Sequence, residues 1–157
     1  PRRGALILHK QQTINTTIMK FNFNDGGRSK YYKAATVGDC GVRALAIVVD
    51  KDYKEVYKQV DHFCKTIKTK GRGFSHPRTG IHREIMDAAA KYYGLKWVPT
   101  MKVGQGCTTH LDANELPDAR VLCRLSKHYA AVVDGVLNDT YDSSREGKRC
   151  VYGYYTK

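Results

Sequence analysis

A hairpin pattern near the C-terminal end places the tightest restriction on how this chain folds. Residues 128–133 (HYAAVV) and 136–141 (VLNDTY) are rich in β-branched and aromatic residues, and only Asp134 and Gly135 separate them. Asp-Gly between two such runs is typical of a two-residue β-turn. A turn of that length fixes which residues pair across the strands, because a slip by one position would turn every side chain to the other face.

This register predicts that His128 and Asp139 lie on the same face of the hairpin. The two-residue turn sets Asp139 opposite Ala130 and diagonal to His128, since side chains alternate along each strand. Diagonal neighbours lie about 7–8 Å apart at the backbone, a gap that an imidazole and a carboxylate can bridge. Asn138 points to the other face, and a loop one residue longer would favour Asn138 instead.

A helix with a cysteine at its start is the second informative feature. Residues 40–49 (CGVRALAIVV) are apolar on almost every side, which is typical of a buried helix, although a strand remains an alternative for the end of the run. Asp39 is a candidate N-cap, which places Cys40 at the first helical position. There the helix dipole favours thiolate over thiol. Arg43 is expected either to bridge to a structural carboxylate or to meet an acidic group of a substrate.

The remaining patterns predict an α+β fold. A second helix opens at Asp52, with Glu55 as its capping-box partner, and a third is expected to begin after Thr79 and to end before Gly94. Helices followed by an antiparallel sheet indicate α+β. Further strands are predicted at 13–23, 95–100, 120–126 and 150–156. The predicted organisation is a basic N-terminal arm or strand (1–33) followed by the α+β domain (34–157).

Composition limits the function classes. Hydrophobic residues make up 41% of the chain, which excludes disorder as its main state, and no apolar run reaches the ~20 residues of a membrane span. The formal net charge of +12 favours polyanionic partners, although a solvated basic face is the plainer alternative. Candidate phosphate-binding residues are Arg2, Arg3, Arg28, Lys30, Lys33, Lys65, Lys68, Lys70 and Arg72.

The cysteines predict free thiols. The five positions 40, 64, 107, 123 and 150 include no CxxC pair, so a zinc site is not expected and no metal or other cofactor is predicted. No secretory leader is recognised at the N-terminus, so a reducing compartment is expected. Cys64, Cys123 and Cys150 are interpreted as core residues, and a second nucleophile at Cys107 remains an alternative.

Two motifs resemble the papain-like cysteine peptidase superfold. GDCGVRALAI (38–47) and KHYAAVVDGVLNDTYD (127–142) are similar to the bacteriocin-leader-processing branch, and also to small phage-encoded proteins with a final RCVYGY strand. The resemblance implies a central helix on an antiparallel sheet. It also implies Cys40 as nucleophile, His128 as base and Asp139 as the group that orients the base, in the papain-like order.

One departure from that family concerns the oxyanion. Such peptidases carry a glutamine six residues before the cysteine, where this chain has Ala34. Losing one oxyanion donor typically costs about 10²–10³ in rate. The Cys40 backbone N–H could still donate, and Thr36 and Lys33 are candidates for the missing donor.

Two functions therefore compete at the level of sequence. The first is a cysteine-dependent peptidase or amidase that acts on a peptide or protein. The second is a catalytically weak or inactive module that keeps the scaffold and serves as a basic phage virion component, or binds nucleic acid or an acidic protein. Host cytoplasm or virion is the expected location, with no membrane partner.

Overall fold

The computed structural model describes residues 19–33, 38–71 and 73–157. Within these ranges the chain forms three α-helices packed on one six-stranded sheet, an α+β arrangement. The helices are α1 (Cys40–Val49), α2 (Tyr53–Thr66) and α3 (Arg83–Tyr92). The strands are β1 (Lys20–Phe23), β2 (Lys96–Pro99), β3 (Arg120–Leu125), β4 (His128–Val133), β5 (Val136–Asp139) and β6 (Gly153–Thr156). Residues 13–18 of the strand predicted at 13–23 lie outside the described residues.

Helix α1 is the buried helix that the apolar run predicts. Every residue from Gly41 to Val48 is buried. Its C-terminal end closes at Asp50, which adopts a left-handed conformation (φ 53°) and donates its N–H to the carbonyls of Ala46 and Ile47. The side chain of Arg120 on β3 also donates to carbonyls in this last turn, so the sheet satisfies groups that the helix leaves unpaired.

The sequence predicts the start of α2 correctly but predicts the start of α3 too early. The Asp52 carboxylate accepts the N–H groups of Lys54 and Glu55, so the predicted cap of α2 is confirmed. Helix α3 begins at Arg83 rather than directly after Thr79, because Thr79 belongs to a tight turn closed by hydrogen bonds between His76 and Gly80. In the described part of the chain no helix is long and apolar enough to cross a membrane.

The sheet is mixed, which corrects the expected antiparallel one. Its strand order is β1-β5-β4-β3-β6-β2, and β1 pairs with β5 in parallel while the other pairings are antiparallel. Hairpin signals reveal only neighbours that a short turn connects, whereas β1 and β5 are separated by most of the fold. Asn22 on β1 and Asn138 on β5, 116 positions apart, join across this pairing by a 2.8 Å side-chain hydrogen bond.

The sheet buries both of its faces. Leu122, Ala131 and Tyr155 pack with the helices on one face, and the alternate residues Val121 and Val132 pack on the other face. That second core also takes up Leu111, Leu116 and Met19. The irregular segment before β3 therefore has a packing role, because it covers apolar side chains that would otherwise face water.

The expectation of five free thiols is wrong. Cys107 and Cys150 form a disulfide, while Cys40, Cys64 and Cys123 are free. The two partners are 43 positions apart and their Cα atoms lie 5.8 Å apart, because the backbone near Thr109 pairs with that near Val151. The strand predicted from Cys150 begins only at Gly153, and Val151 instead donates its N–H to the Thr109 carbonyl in the segment before β3.

Candidate active site

Cys40 is the first residue of α1, as predicted, and lies on the wall of a cleft. The cleft has a volume of about 500 Å³ and reaches from the start of α1 to the start of α3 and the β3–β4 turn. The Cys40 side chain is half-buried, so its sulfur is sheltered yet reachable. The N-terminus of α1 adds a partial positive charge that favours the thiolate.

Asp39 occupies the predicted N-cap position of α1, but its side chain does not cap the helix. Its carboxylate makes no cap hydrogen bond and instead accepts Arg43 Nη1 at 2.8 Å, Arg28 Nη1 at 3.2 Å and the Tyr53 hydroxyl at 2.8 Å. Asp39 is completely buried, and a buried carboxylate needs charged and hydrogen-bonding partners more than a helix end needs a cap. The first backbone N–H groups of α1 thus receive no hydrogen bond acceptor from this side chain.

The predicted pairing of His128 and Asp139 is present. The turn residues Asp134 (φ 50°) and Gly135 (φ 77°) both have positive φ, and Val133 pairs with Val136 in the predicted register. His128 Nε2 lies 2.7 Å from Asp139 Oδ2. His128 is 8% exposed and Asp139 4% exposed, so water does not compete for this hydrogen bond.

Besides His128, Asp139 has further partners that hold its carboxylate in place. Its Oδ2 also accepts the Ser143 hydroxyl at 2.8 Å, and its Oδ1 accepts the backbone N–H of Thr140 at 2.7 Å. Arg43 Nη2 lies 3.8 Å from Oδ1. Arg43 thus connects Asp39 below Cys40 with Asp139 behind His128, which agrees with the structural reading of this arginine. No pattern in the sequence marks Ser143, because its role depends on how the chain turns after β5.

The imidazole of His128 joins Asp139 to Cys40. His128 lies close enough to Cys40 to lower the pKa of its thiol by hydrogen bonding and charge, and the backbone N–H of Tyr129 acts in the same direction. Because Nε2 is bound to Asp139, Nδ1 is the ring nitrogen that faces the sulfur. A single ring therefore connects a carboxylate and a thiol, which is the arrangement of an activated cysteine nucleophile.

The charges of the three groups reinforce one another. Burial raises the pKa of Cys40, but the hydrogen bond and charge of His128, with help from Arg43, bring the net pKa below its usual value of 9.0. Burial lowers the pKa of His128, but Asp139 and Cys40 raise it to about 9. Burial likewise opposes the Asp139 carboxylate, yet His128 and Ser143 hold its pKa below 3.8. All three shifts favour the thiolate–imidazolium–carboxylate form of the site.

The other free thiols lack such surroundings. Burial raises the pKa of Cys64 to about 11 and raises that of Cys123 above its ordinary value. Cys107 is in the disulfide and offers no nucleophile. Cys40 is therefore the free cysteine with a lowered pKa in the described part of the chain.

The proposed oxyanion residues receive little support. Ala34 and Thr36 lie outside the described residues, and Lys33 is exposed and does not line the cleft. The backbone N–H of Cys40 remains as a candidate donor at the helix start. In residues 19–33, 38–71 and 73–157 no cluster of three or more metal-ligating side chains is found.

The candidate phosphate-binding residues differ in their burial and in their partners. Arg2, Arg3 and Arg72 lie outside the described residues. Arg28 is buried on Asp39, so it is not presented to a phosphate, which corrects its assignment. Lys65 is exposed and pairs with Asp61 at 2.7 Å. The remaining lysines are exposed, namely Lys30, Lys33, Lys68 and Lys70.

Sequence reasoning missed the cations that line the cleft. Arg83, Arg124 and Lys127 lie on its wall with Cys40 and His128. For two of them the signal was present in CRLSKHY (123–129), where Arg124 and Lys127 lie four positions and one position before His128. No protein-family model matches the chain, and no curated protein or solved structure matches it either.

Proposed function

We propose that this chain is a cysteine-dependent hydrolase of peptide or amide bonds, with papain-like chemistry. The observation that carries the proposal is that Cys40 and His128 share one wall of an open cleft, where His128 is hydrogen-bonded to Asp139 and lowers the pKa of Cys40. Structural cysteines are among the most buried residues and have raised pKa values, whereas Cys40 has a lowered one and is partly accessible.

The reaction follows from the charges. The Cys40 thiolate attacks the carbonyl carbon, and the negative charge that develops on oxygen lies near the backbone N–H at the start of α1. The His128 imidazolium donates its proton to the leaving amine as the C–N bond breaks. His128 then takes a proton from water, which attacks the thioester and releases the acid together with the thiolate.

Asp139 serves by holding His128 in place and by stabilising its charged form. Nε2 stays on the carboxylate, so Nδ1 remains directed at the sulfur through both half-reactions. Ser143 and Thr140 fix the carboxylate in turn. Arg43 is a positioning residue that acts through Asp139 and Asp39.

Selective alkylation tests the proposal without a known substrate. The native protein is treated with limiting iodoacetamide at pH 7, and the labelled cysteines are identified by mass spectrometry. Cys40 is expected to react at least ~10-fold faster than Cys64, because far more of it is thiolate. The variant His128→Ala is expected to remove this advantage, whereas His62→Ala, an exposed histidine on α2, keeps it. Equal labelling of Cys40 and Cys64 in the native protein contradicts the proposal.

A polyanion-binding module is the second candidate, favoured by the net charge of +12 and by the exposed lysines Lys30, Lys33, Lys68 and Lys70. Retention on immobilised DNA between 50 mM and 200 mM salt distinguishes it, since phosphate contacts make affinity fall steeply with salt. Under this alternative Cys40→Ala binds DNA as the native chain does and no substrate is turned over. Retention that is independent of salt contradicts it.

A further inference from the structure

The cleft beside the candidate nucleophile is lined by cations. Arg83, Arg124 and Lys127 belong to its wall, and no aspartate or glutamate of the described chain does. Cys40 and His128 lie on the same wall. A cleft with charges of one sign and apolar walls concentrates ligands of the opposite sign.

Two of these cations are available to a ligand. Arg83 is engaged, because its Nε lies 3.7 Å from Asp87 and its guanidinium stacks on Trp97 at 4.8 Å. Arg124 and Lys127, by contrast, have no carboxylate partner among the described residues. An arginine or lysine without a partner at a cleft is suited to bind a carboxylate, which arginine can hold with two parallel hydrogen bonds.

Both cations line the same cleft wall as Cys40 and His128. Arg124 pairs with Tyr129 across β3 and β4, so these two side chains share one face of the sheet. Burial raises the pKa of Tyr129 to about 12, so its hydroxyl stays neutral and does not cancel the charge of Arg124. Lys127 directly precedes His128 in the β3–β4 turn and is exposed.

The backbone adds to this positive field. Helices α1 and α3 both begin at the cleft, at Cys40 and at Arg83 respectively, and each directs the positive end of its dipole there. Neither helix start has a side-chain cap that would consume its N–H groups.

We propose that the substrate is an acidic peptide segment, with an aspartate or glutamate close to the cleaved bond that binds Arg124 and Lys127. The inference rests on the proposed hydrolase function and names its substrate class. Arg124 and Lys127 are specificity-determining residues that bind a remote carboxylate and take no part in bond cleavage. Removing both is expected to lower the affinity for acidic substrates, and the ratio of the rates of an anionic and a neutral reagent separates this effect from a change in the thiolate fraction.

Two alkylating reagents of the same chemistry test the electrostatic potential at Cys40 directly. Iodoacetate is anionic and iodoacetamide is neutral, so the ratio of their rates at Cys40 reports the local potential. The double variant Arg124→Gln/Lys127→Gln is expected to lower this ratio ~3–10-fold relative to the native protein. The control Lys68→Gln/Lys70→Gln removes the same charge from exposed positions outside the cleft, and is expected to leave the ratio within about twofold because salt screens distant charges.

A peptide library tests the substrate class. A mixture of acetylated peptides with random sequences is digested and the new termini are identified by mass spectrometry. The native protein is expected to cleave peptides enriched in aspartate or glutamate near the cut, and the double variant is expected to lose the enrichment. Charge reversal, Arg124→Glu/Lys127→Glu, is expected to favour lysine and arginine instead.

The outcomes separate the two proposals. If Cys40 is alkylated selectively but the reagent ratio is the same in the native and double-variant proteins, the acidic-substrate inference is wrong and the hydrolase remains. Cleavage of peptides without enrichment of aspartate or glutamate near the cut likewise contradicts the acidic-substrate inference and leaves the hydrolase proposal in place. If iodoacetamide does not prefer Cys40 over Cys64, the hydrolase itself is wrong, and the inference is lost with it.

Discussion

At the scale of single residues, the proposed chemistry depends on one histidine, His128, that interacts with both Asp139 and Cys40. His128 is hydrogen-bonded to Asp139 through Nε2 and also lowers the pKa of Cys40 by hydrogen bonding and charge. The pKa of each neighbour falls because the imidazolium is charged, and the pKa of His128 rises because both neighbours are anions. The three groups therefore titrate as one coupled unit.

The reactivity of Cys40 should follow this coupled titration with pH. The Cys40 pKa is lowered, so its iodoacetamide rate is expected to rise as pH increases through a value below 9.0 and then to level off. Peptide hydrolysis is expected to fall again above pH about 9, where His128 loses the proton that the leaving amine requires.

Rates measured between pH 4 and pH 11 test this profile. In His128→Ala the Cys40 midpoint is expected to move upward, since burial then acts with less opposition. Cys64 is the internal control, with a single rise near pH 11. An unchanged Cys40 midpoint in the variant would show that His128 does not lower its pKa.

At the scale of elements, the hairpin of β4 and β5 is the part that sequence predicts best. A two-residue turn and the alternation of side chains are local rules, so they select Asp139 over Asn138 without any knowledge of the rest of the fold. Helix α1 is likewise predicted from its own apolar residues. The partners of Asp39 were missed because a buried cluster of charges depends on residues from three separate segments.

The register of the hairpin can be tested with a swap of two residues that leaves the amino-acid composition unchanged. The swap Asn138→Asp/Asp139→Asn moves the carboxylate to the other face of β5, away from His128. Its Cys40 alkylation rate at pH 7 is expected to fall roughly 10-fold, to the rate of Asp139→Asn alone, because the charge that raises the His128 pKa is gone. A swap variant that reacts like the native protein would mean that either face can serve His128.

The buried carboxylate of Asp39 at the start of α1 is expected to contribute to the stability of the fold. Asp39→Asn removes the buried carboxylate that both Arg28 and Arg43 contact, which is expected to cost about 3–5 kcal/mol in the free energy of unfolding. Asp61→Asn, which removes the surface pair with Lys65, is the matched control and is expected to change it by less than about 1 kcal/mol. Urea unfolding measures both. Equal losses would show that the Asp39 cluster contributes no more than a surface pair.

At the scale of the whole molecule, the features that sequence did not predict are the long-range ones. The parallel β1–β5 pairing and the disulfide both join segments that are far apart in the chain, and no local pattern specifies such partners. The covering of the second sheet face by Leu111 and Leu116 is of the same kind. Two of the cleft cations, Arg124 and Lys127, in contrast lie within four positions of His128 in sequence, and an alignment of the β3–β4 hairpin would have placed them.

The disulfide encloses the part of the chain that carries the base. Strands β3, β4 and β5 lie between Cys107 and Cys150, so the bond joins the two ends of a segment that contains both His128 and Asp139. Such a link stabilises a fold chiefly by restricting the unfolded chain, which for a loop of this length amounts to about 2–4 kcal/mol. Neither cysteine lines the cleft, so the bond should affect stability without affecting the site.

The variant Cys107→Ser/Cys150→Ser separates these effects. Its midpoint of urea unfolding is expected to fall by the equivalent of about 2–4 kcal/mol. The iodoacetamide rate at Cys40 in the folded variant is expected to equal that of the native protein, since the Cys40–His128 and His128–Asp139 contacts depend on α1 and the hairpin alone. Cys123→Ser, within β3, is the comparison that disturbs the core without opening the loop. A loss of Cys40 reactivity at full folding would show instead that the bond holds the hairpin against α1.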